Sequence, residues 1–69
     1  MKKNKLSVLR EENGLTKTDV AIFLNMTPSG ITGIERSTKI SLDKAIKLSE
    51  IYSVSIYDIF NASREFMEA

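Results

Sequence analysis

The sequence predicts an all-α fold, a compact domain of five short helices, on three observations. Ser or Thr stands ahead of four separate apolar periodic stretches. One Pro and three Gly are too few for a turn-rich β fold. A chain of 69 residues, 42% of them hydrophobic, supports one small core, so a single domain over residues 1–69 is expected, with no second sensing or catalytic domain.

The elements follow in order. The first helix is expected over 3–13, with Leu6 and Leu9 facing inward and Asn13-Gly14 ending it where a positive φ is needed. Thr16 caps the second, 17–24, whose inward residues are Val20, Ala21 and Leu24, and Asn25 ends it. Thr27 caps the third, 28–35, with Pro28 at N1 and Ile31 and Ile34 inward. Ser41 caps the fourth, 42–52, which turns Leu42, Ala45, Leu48, Ser49 and Tyr52 to the core. Ser55 caps the fifth, 56–67, with Ile59 and Phe60 inward and residues 61–69 forming a C-terminal helical extension.

Each cap is reinforced locally. The pairs Leu15/Val20, Met26/Ile31, Ile40/Ala45 and Val54/Ile59 have the N′ to N4 spacing of a hydrophobic staple. Thr16-x-x-Asp19 and Ser55-x-x-Asp58 add a carboxylate at N3, a shorter-armed capping box that suits the positive end of the helix dipole. The connections are too short to hold a strand, and no repeat, linker or low-complexity segment interrupts them.

Composition removes several function classes. Without Cys or His there is no thiolate or imidazole metal site, no disulfide, and no Ser-His or Cys-His nucleophile. The carboxylates fall at caps and surface positions rather than as a paired acid and base, so no catalytic residue, cofactor or metal is expected and the protein is not read as an enzyme. The longest apolar run, Val20 to Leu24, has five residues, against roughly 20 for a membrane span. Lys2, Lys3 and Lys5 are followed by Ser7, Arg10, Glu11 and Glu12 where a secretory signal needs apolar residues, so a cytoplasmic protein is expected. Net charge is only +1, yet residues 1–40 carry seven Lys/Arg against four Asp/Glu and residues 41–69 three against five. One half can face a polyanion.

Two short helices joined by a tight turn, 17–24 and 28–35, have the arrangement in which the second lies in the DNA major groove while the first crosses the backbone. Packing alone also produces such hairpins. The ordered set Leu6-x-x-Leu9-Arg10, Gly14-Leu15-Thr16, Val20-Ala21-x-x-Leu24, Met26-Thr27, Ile31-x-x-Ile34-Glu35-Arg36, Ser41-Leu42 and Val54-Ser55-Ile56-x-Asp58-Ile59-Phe60 resembles the Cro and phage-repressor-like (XRE) helix-turn-helix family over residues 6–60. The resemblance implies a five-helix lambda-repressor-like domain that binds operator DNA, usually as a symmetric homodimer, and regulates transcription. It also implies that Arg10 and Glu35 pair between the first and third helices, a structural role.

The resemblance places Lys17 where the family often has a phosphate-gripping Gln, a position a lysine also suits. Thr27 stands near the backbone, although its hydroxyl is also the cap. Pro28, Ser29, Thr32 and Gly33 form the outward face of the third helix, where the family often carries long amide or guanidinium groups able to bond bases in pairs. Here they are small. Gly30 and Gly33 each cost about 1 kcal/mol in a helix, which points either to a backbone seated deep in the groove or to a surface that no longer reads DNA. Arg36 and Lys39 follow the helix where phosphate contacts are common in the family, and Lys2, Lys3 and Lys5 form either a groove-reaching arm or a frayed end.

Phe60, Phe66 and Met67, with Ile59 and Ser63, continue the helical spacing and make the expected homodimer contact. Ile22 and Phe23 lie where the family is usually polar; Phe23 can fold inward beside Leu24, whereas Ile22 cannot. With Ile46, Ile51 and Tyr57 they offer a surface for a partner protein. The expected function is therefore a sequence-specific DNA-binding transcriptional regulator, a repressor on a palindromic operator. The alternative is an antitoxin or adaptor with weakened DNA reading.

Overall fold

A computed structural model describes residues 2–67. It contains α1 (Leu6–Glu12), α2 (Lys17–Leu24), α3 (Pro28–Ile34), α4 (Leu42–Tyr52) and α5 (Ile56–Arg64). The chain is all-α, and among the described residues the only extended pairing is a lone antiparallel bridge between Asn4 and Phe66.

The helix starts lie where local chemistry puts them. Thr16, Thr27, Ser41 and Ser55 each accept an N3 amide on the side-chain oxygen, and at Thr16 and Ser55 the N3 aspartate returns a bond to the cap amide. Two turns need left-handed backbone, supplied by Gly14 at φ +69° and Asn25 at φ 57°. Ser53 adopts φ 57° as well, without the side-chain chemistry that usually marks such a position.

One core unites the helices. Leu6, Val20, Ala21, Leu24, Ile31, Ala45, Leu48, Tyr52, Ile59 and Ala62 are buried, with Leu9, Leu15, Met26, Ile34, Ile40, Ile51, Val54 and Phe60 packed around them. Each large aliphatic side chain removed from water contributes about 1.5–3 kcal/mol, so this cluster holds the hairpin of α2 and α3 rigidly against α4.

Four expectations need correction. Leu42, placed in the core by periodicity, is 60% exposed, because as the first residue of α4 it lies beyond the edge of the cluster. Phe23 does not fold inward; it is 44% exposed beside Ile22 at 74%. The first helix begins at Leu6 rather than residue 3, since the Asn4 amide bonds to Glu35 and Lys3 and Lys5 bond to the far end of the chain. There the Lys5 amide donates to the carbonyls of Ala62 and Glu65, and the Met67 amide to that of Lys3. For the same reason α5 stops at Arg64 rather than 67, and Glu65 is extended at its C-cap. The helical extension expected over 61–69 is thus a short stretch of helix followed by a paired segment, with residues 68–69 outside the described region.

Candidate nucleic-acid interface

The hairpin is built from two capped helices around a left-handed corner. Asn25 turns the chain, and the Met26 amide donates back to the Ala21 carbonyl at 2.8 Å. Thr27 then opens α3, with its hydroxyl oxygen accepting the Gly30 amide at 3.2 Å and lying 3.1 Å from the Ser29 hydroxyl. Pro28 occupies N1, where its missing N–H leaves nothing unsatisfied. Ile31 fixes the inward side at 2% exposure. An α-helix is about 10–12 Å across with its side chains, so α3, with small residues outward, matches the roughly 12 Å width of a B-DNA major groove.

The outward face is nearly bare. Pro28, Ser29 and Gly33 are exposed and Thr32 half-buried. A Cβ built on Gly33 meets nothing within 4 Å, so that position is open space. The two glycines differ: a Cβ on Gly30 would come 2.7 Å from the Met26 terminal methyl, which places Gly30 under the turn rather than on the ridge. The Thr32 hydroxyl donates weakly to the Pro28 carbonyl at 3.4 Å and leaves its methyl as the apolar contact.

Three cations are expected to accompany this face. Lys17 is half-buried at the start of α2, and Arg36 and Lys39 are exposed in the segment after α3. That segment is folded, because the Lys39 amide donates to the Ser37 hydroxyl and that hydroxyl to the Lys39 carbonyl, both at 3.0 Å. The start of α2 is less open to an anion than a bare helix end. Its capping box already uses the amides of Thr16 and Asp19. Bonds from the Thr16 backbone, then from its side chain, hold the Asp19 carboxyl below its usual pKa of 3.8, keeping a negative charge near Lys17.

Arg10 and Glu35 lie beneath the hairpin. Arg10 Nε is 2.7 Å from Glu35 Oε2 and Nη2 is 3.4 Å from Oε1, while Nη1 donates to the Leu15 carbonyl at 3.0 Å. The side chains are 8% and 2% exposed. The hydrogen bond to Glu35 outweighs desolvation and raises the Arg10 pKa, so the guanidinium remains charged. One side chain thereby joins α1, the turn before α2, and the end of α3.

Asn4 escaped the sequence reading. Fully buried, it donates through Nδ2 to the carbonyls of Ile34 and Ser37 at 2.9 and 2.8 Å and accepts the Leu6 amide on Oδ1. The available signal was an Asn just ahead of the first periodic Leu, the position of a cap.

The lysine arm and the apolar stripe are also rearranged. Lys5 pairs with Glu65 at 2.8 Å, and Lys3 is tied through its carbonyl to Met67, so residues 3–5 are neither frayed nor a free arm. Phe60 packs on the core, whereas Phe66 and Met67 lie past the end of α5, so the three do not form one helical stripe. The large apolar residues that α5 exposes are Ile56 and Tyr57.

A family model described as helix-turn-helix matches residues 6–59, most of the chain, from the start of α1 into the first turn of α5. The chain belongs to the XRE helix-turn-helix family. Comparison with curated proteins found no significant match. As an XRE-type domain it is a DNA-binding regulatory module, with α3 in the place of the recognition helix. No helix among the described residues is long and apolar enough to cross a membrane.

Proposed function

We propose that this XRE domain is a repressor that binds a palindromic operator as a homodimer and acts in the cytoplasm by occupying a promoter. The observation that carries the reading is the open space at Gly33 on the second helix of a helix-turn-helix, whose first helix begins with Lys17 and whose following segment carries Arg36 and Lys39. Without a side chain there, the α3 backbone can approach the floor of the groove. Ser29 supplies a hydroxyl and Thr32 a methyl suited to thymine, and Thr27 contributes to the backbone approach while it caps α3. Lys17, Arg36 and Lys39 contact phosphates. Specificity then rests on groove shape and deformability more than on paired base contacts.

The homodimer brings two α3 helices to half-sites about one helical turn apart. Its contact is the start of α5, where Ile56 and Tyr57 are 36% and 74% exposed. The aspartate pair I56D/Y57D yields monomers by light scattering, whereas charges at Phe66 and Met67 leave the dimer intact; the opposite pattern moves the contact to the chain end.

The test of function is selection of duplexes from a random pool, followed by binding across a salt series. A regulator of this kind enriches a two-fold symmetric sequence and keeps its preference as salt rises, while the phosphate contribution falls steeply. Binding that is weak, sequence-blind and erased by salt contradicts it. A second reading, an antitoxin or adaptor, is favoured by the exposure of Ile22 and Phe23 on α2. It predicts that result, together with capture of a partner protein lost in the variant I22D/F23D.

A further inference from the structure

We infer that Asn4 is a positioning residue for α3, setting the pose of the recognition helix without touching DNA. The inference rests on the proposed operator reading for its functional consequence, and on geometry alone for its structural one.

A helix of seven residues has little stability of its own, and its last carbonyls have no partner within the helix. Two glycines weaken α3 further. Its pose must therefore be imposed from the ends. Thr27 and Pro28 hold the first turn. At the other end Asn4 makes three bonds: Nδ2 to the Ile34 and Ser37 carbonyls, and its backbone amide to the Glu35 carbonyl at 2.7 Å.

The residue type is dictated by that surrounding. Two carbonyls require a donor with two hydrogens, and the Leu6 amide requires an acceptor two atoms away. Aspartate supplies only acceptors and serine only one hydrogen. Asn4 itself is held by the Ser7 hydroxyl on its carbonyl, and its segment is fastened by the bridge to Phe66. Arg10 grips Glu35 by its carboxylate while Asn4 takes its backbone, so one residue within α1 and one just ahead of it fix the exit of α3. The direction of the chain toward Arg36 and Lys39 follows from this grip.

The test uses Asn4→Asp and Asn4→Ala, with Ser63→Ala as a control. Ser63 is buried to the same degree and its hydroxyl donates within α5, to the Phe60 carbonyl at 2.8 Å, so its loss removes a buried hydrogen bond that does not reach α3. Proteins are compared at temperatures where each is fully folded. Affinity for a duplex selected by the wild-type protein falls ~10-fold or more in the Asn4 variants while affinity for a scrambled duplex holds, and Ser63→Ala leaves the ratio unchanged. Equal loss of preference in all three variants, or none in the Asn4 pair, overturns the assignment.

Amide exchange separates this claim from the operator reading. If no duplex is enriched, the operator proposal fails, yet the Asn4 variants still speed exchange at Ile31 and Glu35 ~10-fold relative to Ser63→Ala. Should the variants not fold, the wild-type protein decides. Its Asn4 amide exchanges with the same protection as Ile31 and Glu35 if the clasp and helix open together, and a ~100-fold faster Asn4 amide overturns the assignment.

Discussion

Arg10 and Glu35 are withdrawn from water as a pair, and the stakes of that pairing are asymmetric. Removing one partner leaves the other charge buried with its bonds unmade, which costs about 3–5 kcal/mol. Arg10→Ala should lower the stability measured by urea unfolding by that amount, a large share of what a domain this small possesses; a loss below about 1 kcal/mol would mean that water reaches the carboxylate. Tyr52 gives a second, pH-linked prediction. Burial, then the nearby Glu35 charge, pushes its phenol well above the ordinary 10.0. A group raised in the folded state contributes stability that is complete below its unfolded pKa and is lost as pH climbs through the folded value. Stability should therefore fall as pH rises above 10, and Tyr52→Phe should flatten that limb of the unfolding curve; an unchanged slope would mean that the Tyr52 phenol does not set it. The Arg10–Glu35 contact was anticipated only through family resemblance, since 25 residues separate the two in sequence. Asn4 was missed because its three carbonyl partners, at Ile34 and just past the end of α3 at Glu35 and Ser37, are 30 or more residues away, and spacing carries no trace of them.

Among the elements, α3 concentrates the tension between stability and use. Gly33 has helical backbone and open space around it, so Gly33→Ala should stabilise the domain by up to about 1 kcal/mol. If the ridge meets the groove closely, the same methyl should weaken operator binding. Thermal unfolding and duplex titration on this single variant check both: higher Tm with lower affinity supports close approach, and higher Tm with unchanged affinity denies it. Helix starts were legible because capping is a transaction among three or four consecutive residues, as at Thr16, Thr27, Ser41 and Ser55. The two misplaced boundaries, at Leu6 and Arg64, share one cause: each is set by the other end of the chain, and Phe66 keeps a helical spacing that the bridge to Asn4 overrides. Leu42 failed for a related reason. Periodicity gives the face of a helix but not how far along it the core extends.

At the scale of the molecule, fastening of residues 3–5 to residues 62–67 closes the domain and bears on the exit of its recognition helix. Charge follows the same division, with the excess of cations in the first 40 residues, where the hairpin lies. Large exposed apolar residues fall on other helices, at Ile22 and Phe23 on α2, Leu42 and Ile46 on α4 and Ile56 and Tyr57 on α5, which separates them from α3, the proposed DNA face. The most direct trial of that separation is an amide NMR titration of the folded protein with the duplex that it selects from a random pool. Shifts concentrated at Lys17, Ser29, Thr32, Gly33, Arg36 and Lys39 are the predicted result. Shifts centred on Ile22 and Phe23, or spread without focus over the lysines of α4, would contradict the proposed face.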